Sequence, residues 1–339
     1  MAEPIIGKGD EFSPTRLTPM AASTAKYELL DFGDGRKLEL FGPIVLNRPS
    51  PTAEGARKAR PELWGDAVAR FEGRTGDGKW IPQHEGWIPD DWQVEFDAGA
   101  PIRLGLDALP SGQVGVFPEQ RENWKWIGRE AAKSIPLAMT RREARRTQRS
   151  APANPRSAPP SLRVAANGTM RVLNLFAYTG ASTLAAAAAG ADVVHVDAAR
   201  SVVDRARQNA ALSGLAERPI RWIVEDAVKF CRREVKRGNH YDAVILDPPT
   251  YGHGPKGEPW KIGEHLLPLL RLCGELTAER RAFVLVTCHS PGIGPAELSA
   301  YLSEGIFGHC GEPPRAGELF LETADGRRLT SGIFARWPA

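Results

Sequence analysis

The sequence predicts an α/β fold: a doubly wound, mostly parallel sheet that ends in an antiparallel hairpin and is preceded by a small β-rich domain. Three observations predict it. From residue 171 onward, short apolar runs alternate with helix-forming segments, the pattern of a parallel sheet covered on both faces. The first of these runs ends in a glycine turn that opens an alanine-rich helix, the start of a βαβ unit. Before residue 110 the chain is instead rich in Pro, Gly and Trp, with period-2 alternation such as Trp92-Gln93-Val94-Glu95-Phe96.

Residues 1–23 are polar, carry three prolines and lack periodicity, which predicts a mobile arm. The β-rich domain spans 24–110 and opens with a hairpin whose turn is Gly33-Asp34-Gly35. Six of the nine tryptophans fall before residue 140; aromatics can stack on bases, but in a small β domain they more often fill the core. Residues 111–140 form a connecting segment and a helix containing Trp124 and Trp126, expected to pack on the domain that follows. Residues 141–165 form an Arg/Pro-rich linker with no apolar face to bury.

The domain over 166–339 continues in strict alternation. Strand 172–176 is a continuous apolar run bounded by a turn, as expected of a strand buried on both faces. The helix beginning at Ala181 is nearly all alanine and stops at Gly190, a natural left-handed cap. There follow strand 192–196, helix 200–213, strand 220–224, helix 227–236, strand 241–246, helix 264–277 and strand 282–287. The closing hairpin pairs 318–322 with 329–337 around Ala324-Asp325-Gly326.

Composition narrows the function classes. The 339-residue chain is 42% hydrophobic and 25% charged, which suits a packed core. It has no apolar run near the ~20 residues of a membrane span. Glu3, Asp10 and Glu11 argue against a signal peptide, so a cytoplasmic protein is expected. Cys231, Cys273, Cys288 and Cys310 lie far apart, without metal-ligand spacing, so neither a disulfide framework nor a metal site is expected. The net charge is only +3, yet residues 141–163 hold seven arginines and one acid. Such a segment could neutralise phosphates of RNA.

The glycine turn limits the ligand. A pyrophosphate needs glycines at three places for backbone approach, and Gly180 is the sole glycine between Val172 and Leu184. A smaller nucleoside cofactor without phosphates fits better. The run Asn174-Leu175-Phe176-Ala177-Tyr178-Thr179-Gly180, followed by the alanine helix, resembles the S-adenosylmethionine site of class I methyltransferases, in particular the bacterial 23S ribosomal RNA methyltransferase group. The terminal hairpin agrees with that resemblance, which covers about residues 110–339. It implies a Rossmann-like class I methyltransferase sheet, S-adenosylmethionine as cofactor and RNA as partner, with no membrane and no metal. It also implies a cofactor set of Asn174, Phe176, Tyr178, Thr179, Gly180, Ser182, Thr183, Asp197, Ala198, Asp226, Ala227 and Asp247. The stretch from Gly112 to Asn123 resembles the segment that precedes the cofactor domain in this group, which makes Gln120 and Arg121 further candidates.

Read from the residues alone, Asp197, Asp226 and Asp247 each end a predicted strand. One such Asp is commonly a helix cap, but three in register beside the glycine turn point to cofactor or substrate contact. In Asp247-Pro248-Pro249-Thr250-Tyr251 the two prolines remove amide donors, so carbonyls and the Asp247 carboxylate are expected to face the site as acceptors. Methyltransferases of exocyclic nitrogens place an aromatic directly after the prolines; here Thr250 intervenes, which makes Tyr251 a displaced candidate. Lys261 stands behind the following loop. Cys288 ends the fifth strand where a thiolate could add to a pyrimidine, although a strand cysteine is also an ordinary small core residue. The sequence reading is thus an RNA methyltransferase acting on a base of 23S ribosomal RNA. Its alternatives are a methyltransferase of small molecules or proteins, and a non-catalytic RNA-binding protein with a vestigial cofactor site.

Overall fold

The Asp34-Gly35 pair turns the first hairpin with both residues left-handed (φ 53° and 71°), the two-residue geometry that matches strand twist. It joins β1 (Tyr27–Gly33) to β2 (Arg36–Phe41) in a five-stranded sheet completed, in order, by β3 (Ile44–Pro49), β4 (Ala69–Glu72) and β5 (Lys79–Pro82). A separate hairpin, β6 (Gln93–Asp97) and β7 (Pro101–Gly105), precedes helix α1 (Arg121–Ala131). This is a computed structural model that describes residues 26–73, 78–133, 169–254, 257–308 and 313–339. The arm expected over 1–23 and the linker expected over 141–165 lie outside the described residues.

The second part is a seven-stranded sheet. Its chain order is β8 (Arg171–Leu175), α2 (Ala181–Ala188), β9 (Asp192–Asp197), α3 (Arg200–Leu212), β10 (Ile220–Val224), α4 (Ala227–Lys236) and β11 (Ala243–Leu246). A small hairpin of β12 (Tyr251–His253) and β13 (Pro259–Lys261) follows. Next come α5 (Ile262–Thr277), β14 (Phe283–Cys288), α6 (Pro295–Leu302), β15 (Arg315–Glu322) and β16 (Arg328–Trp337). The spatial order is β10-β9-β8-β11-β14-β16-β15, with every strand running the same way except β16, which is antiparallel to both its neighbours. The chain therefore winds outward from β8 through β9 and β10, then restarts on the other side at β11. The crevice between the ends of β8 and β11 is the topological switch point, where such sheets bind ligands.

The tryptophans answer the stacking question. Trp92, Trp124 and Trp126 are 0%, 2% and 4% exposed, and Trp92 Nε1 donates to the Phe41 carbonyl at 2.8 Å. Trp80 Nε1 donates to the Leu109 carbonyl and Trp64 Nε1 to Asp31. Trp92, Trp124 and Trp126 belong to the interior, where each ring buries a large apolar area, while Trp64 and Trp80 are half-buried with their N–H groups on those acceptors. One apolar cluster runs from Phe41 and Trp92 through Trp126 to Val172, Leu184 and Phe283, so the front segment and one face of the large sheet share a core. Within the front sheet, Glu39 is fully buried, held by Arg48 at 2.7 Å and Lys37 at 3.1 Å. Burial alone would raise the Glu39 carboxyl; the Arg48 and Lys37 charges outweigh it and hold it below the ordinary value.

The approach of α1 to its neighbours is set by Gly128. A Cβ there would stand 2.2 Å from the Ala98 carbonyl oxygen in the β6–β7 turn. Gly128→Ala is expected to destabilise the protein by about 1–3 kcal/mol through overpacking, read as a lower midpoint in urea unfolding. An unchanged midpoint would show that the turn can retreat at no cost.

Candidate functional site

The site begins with a backbone that the sequence forces into an unusual shape. After β8, Phe176 (φ 53°), Tyr178 (φ 49°) and Gly180 (φ 94°) are all left-handed. Glycine adopts this freely, but Phe and Tyr do so at a cost of order 1–2 kcal/mol each, and such strain persists only where surroundings over-determine it. Here they do. The Ala177 amide donates to the Val196 carbonyl at 3.1 Å, and the Tyr178 amide donates to Asp197 Oδ2 at 2.9 Å. Thr179 Oγ1 donates to the Gly115 carbonyl at 2.7 Å, and Asn209 Nδ2 donates to the Thr179 carbonyl at 2.9 Å while its Oδ1 accepts from the Gly105 amide.

Around this turn lies a cavity of about 470 Å³ at the switch point. Phe176, Tyr178, Asp197, Ala198, Asp226, Ala227, Asp247 and Pro248 all line it, so eight expected residues are brought together. Asp197 has one oxygen on the Tyr178 amide and the other on the Ala199 amide at 3.0 Å, an arrangement that aims its remaining lone pairs into the cavity. Burial pushes the Asp197 carboxyl above its usual range, against the pull of those amides. Asp226 does double duty: its Oδ1 caps α4 by accepting from the Lys229 amide at 2.8 Å, and its side chain walls the cavity. A small recess next to the cavity is lined by Asn174, Thr179, Gly180, Ser182, Gln120 and, at the shared wall, Asp247. Asp247 Oδ1 accepts from Thr287 Oγ1 at 2.5 Å and Oδ2 from Gln120 Nε2 at 3.4 Å, with His289 Nε2 3.7 Å away.

Other expected residues stand elsewhere. Thr183 is fully buried and lines neither space; its Oγ1 accepts from Asn174 Nδ2 at 2.9 Å and meets His195 Nδ1 at 3.0 Å, so it joins α2 to the sheet from within. Tyr251 points outward at 74% exposure, because β12 pairs with β13 and presents that ring to solvent while Gly252, His253 and Gly254 face the cavity. Lys261 pairs with Glu264 at the surface, on the far side of the same hairpin, and Arg121 opens α1 without reaching the cavity. Cys288 is 1% exposed and outside the cavity wall, its Sγ accepting from the Ser290 amide at 3.4 Å. The Pro249 carbonyl, expected to face the site, accepts from Trp260 Nε1 at 2.7 Å instead.

Sequence reasoning passed over Phe117, Trp260 and Asn209. Phe117 and Trp260 wall the cavity, their rings 5.3 Å from Tyr178 and 4.8 Å from Phe176 respectively. The aromatic before Pro118 was a usable signal; Asn209 carried none, since a single Asn in a helix is ordinarily a surface residue. Among the described residues no group of His, Cys, Asp or Glu could hold a metal ion, and no helix is long and apolar enough to cross a membrane.

With this geometry in hand, the chain was compared with known proteins. Residues 162–304 match the family described as S-adenosylmethionine-dependent methyltransferase. The crystal structure of a SAM-dependent methyltransferase from Agrobacterium tumefaciens is similar over 96% of this chain and 97% of that one, at 31% identity and a TM-score of 0.74. Ribosomal RNA large subunit methyltransferase I of Aeromonas salmonicida is 42% identical over 82 residues, 24% of this chain and 21% of that protein. The protein of the same description from Tolumonas auensis is 38% identical over 164 residues, 48% of this chain and 32% of that protein. The chain thus spans about a fifth to a third of the length of these two relatives.

Two outcomes are expected. Asp197→Ala should weaken S-adenosylmethionine binding roughly tenfold or more in calorimetry, because ribose hydroxyls lose a charged acceptor, while NAD should not bind; unchanged affinity would remove Asp197 from the site. His195 is buried and held down to about 3 from 6.5, mainly by desolvation and secondly by the Arg207 charge. A base depressed in the folded state binds more protons when unfolded, so its stabilisation is complete above pH 6.5 and is lost as pH falls toward 3. Wild-type stability should fall in that window more steeply than that of His195→Gln, by up to about 1.4 kcal/mol per pH unit; parallel curves would show that the ring charges without cost.

Proposed function

The chain belongs to the S-adenosylmethionine-dependent methyltransferase family, and from that premise we propose that it transfers a methyl group to a base of 23S ribosomal RNA in the cytoplasm. The observation that carries the reading is the meeting, at one crevice, of an oriented ribose-type acceptor, Asp197, with an oriented acceptor-side carboxylate, Asp247. The residues fit the cofactor. A cavity of about 470 Å³ is of ligand size. Its aromatic walls suit a nucleoside, and Asp197 offers a carboxylate whose two oxygens are already positioned by amides. Asp197 would hold the ribose, and Asp226 with Ala227 would flank the base.

When bound, the cofactor supplies an electrophilic methyl group on a sulfonium sulfur. The work left to this chain is positioning, which can supply a large part of the rate in such a transfer. Asp247 cannot swing, since Thr287, Gln120 and the end of β11 fix it, and Gln120 is itself oriented by Asn123 Nδ2 at 2.8 Å. A carboxylate held there can accept a hydrogen bond from the methyl acceptor and receive the proton the acceptor releases. RNA as acceptor is supported by the names of the partial relatives and by the arginines of residues 141–163, which lie outside the described residues.

We favour transfer without a covalent enzyme intermediate, because Cys288 is buried in its strand and outside the cofactor cavity. Ribosomal RNA from cells lacking the protein should accept label from radioactive S-adenosylmethionine, and mass analysis should locate one methyl group absent from those cells. Asp247→Ala should lower transfer by about 100-fold or more, whereas Cys288→Ser should keep most of it. An adduct on 5-fluorocytosine RNA that survives denaturation and vanishes in Cys288→Ser would overturn the non-covalent choice. Absence of any transfer to RNA would overturn the acceptor.

A further inference from the structure

Helix α1 starts at the cofactor site and carries cations away from it. Gln120, the residue before its first turn, reaches Asp247 at 3.4 Å, and Trp124 lines the small recess beside the cavity. Trp124, Trp126 and Ile127 turn inward, which leaves Arg121, Lys125 and Arg129 in one row on the outward face, each about 6 Å of axis from the next. At the far end of the row, Arg336 of β16 lies on Trp126, its guanidinium 5.0 Å from the ring centre. Arg315 of β15 stands directly across from Arg336 in the strand register.

This gathering of charge works against the fold. Like charges directly opposite one another on two strands destabilise a sheet, and Arg315 and Arg336 are such a pair. Arg336 is 8% exposed and its buried Nε has no hydrogen-bond partner; among the described residues no carboxylate comes within ion-pair distance of it. Burial first, then the charges of Arg315 and Arg129, hold its guanidinium down to about 10, with Glu130 and Glu122 acting the other way. Those two acids are already engaged, Glu122 with Lys125 and Glu130 with Lys133. Among the described residues Arg121, Arg129 and Arg315 form no ion pair. A helix face of mixed charge is ordinarily only solvated. Arginines brought together from α1, β15 and β16, with the nearby acids already paired to lysines, call for an anion from outside.

We propose that the outward face of α1, with Arg315 and Arg336 at its far end, carries the phosphate backbone of the RNA and leads the strand to Asp247, a reading that rests on RNA as the acceptor. A row of cations suits a polyanion, whose charges repeat along a line, better than a single small anion. Arginine adds paired donors that match the oxygens of a phosphate. Such contacts fix the orientation and register of the strand and carry no sequence information, which leaves the choice of base to the crevice. The row begins next to Gln120, so a strand lying on it is brought beside the recess that Gln120 and Asp247 wall.

The test measures binding of the full-length protein to 23S ribosomal RNA from cells lacking it, in about 50–200 mM salt. Lys125→Gln, Arg129→Gln and Arg315→Gln, made together, should weaken binding roughly tenfold or more and make the slope of log affinity against log salt shallower by about 2–3. The same variant should raise KM for RNA while keeping kcat and S-adenosylmethionine affinity. Arg218→Gln, Arg221→Gln and Arg232→Gln remove as much charge from exposed positions on β10, α4 and the turn before β10, and should leave the slope as it is. Arg315→Glu should weaken RNA binding yet raise the urea midpoint, since it turns a repulsion with Arg336 into an attraction, and it decides the matter should the triple variant fail to fold. An unchanged slope in the folded triple variant, an equal flattening in the control, or full RNA affinity in Arg315→Glu would overturn the proposal while leaving RNA as the acceptor intact. A wild-type protein that neither binds nor methylates this RNA would overturn the acceptor assignment itself, and the proposal with it.

Discussion

Everything at the site depends on keeping a strained turn in place. Phe176 and Tyr178 sit in backbone conformations that side-chain-bearing residues avoid, and they stay there because Asp197, Val196, Asn209 and Gly115 each hold one backbone or hydroxyl group of the same five-residue turn. The strain positions two aromatic rings on the cavity wall and frees the start of α2 to face the ligand. Asp197 is the clamp of this turn and also lines the cavity, so in the proposed reading the local fold and the binding of the nucleoside are one interaction seen from two sides.

The packing around that turn is cooperative in the same sense. A single apolar cluster joins Phe41 and Trp92 of the front segment to Val172 and Phe283 in the catalytic sheet. The Trp80 and Trp92 N–H groups are satisfied by backbone carbonyls, which lets these rings pack without leaving orphaned donors. The buried Glu39–Arg48 pair tightens the front sheet, and Arg48 also reaches the Gly112 carbonyl at 3.2 Å, in the segment that leads to Phe117 and Glu119.

Much of the catalytic half was legible because its strands are buried on both faces and its helices alternate with them; the strands and helices from β8 to α4 fall close to their expected bounds. The switch-point Asp residues were legible for the same reason, since strand ends are where a parallel sheet exposes chemistry. What escaped was set by tertiary contact. The β12–β13 hairpin pairs three residues with three, too short for periodicity, and it turned Tyr251 and Lys261 away from the cavity. Helix α6, opened by Pro295 and only eight residues long, lacked a clear period. Thr183 lies one helical residue beyond Ser182, and that single step of about 100° turns it from the recess into the core.

Asn209 reaches from α3 to two partners that the chain order keeps far apart, the Thr179 carbonyl in the cofactor turn and the Gly105 amide in β7, and Thr179 in turn leans on Gly115. The cofactor turn is therefore completed by two backbone groups from outside the α/β half. An ancestor or a chimera that recombined this α/β half with a different leading segment would have to regenerate those two groups at the same places, or the turn would relax. The leading segment is therefore part of what holds this turn, and the joint between the halves is not a place where modules can be exchanged freely.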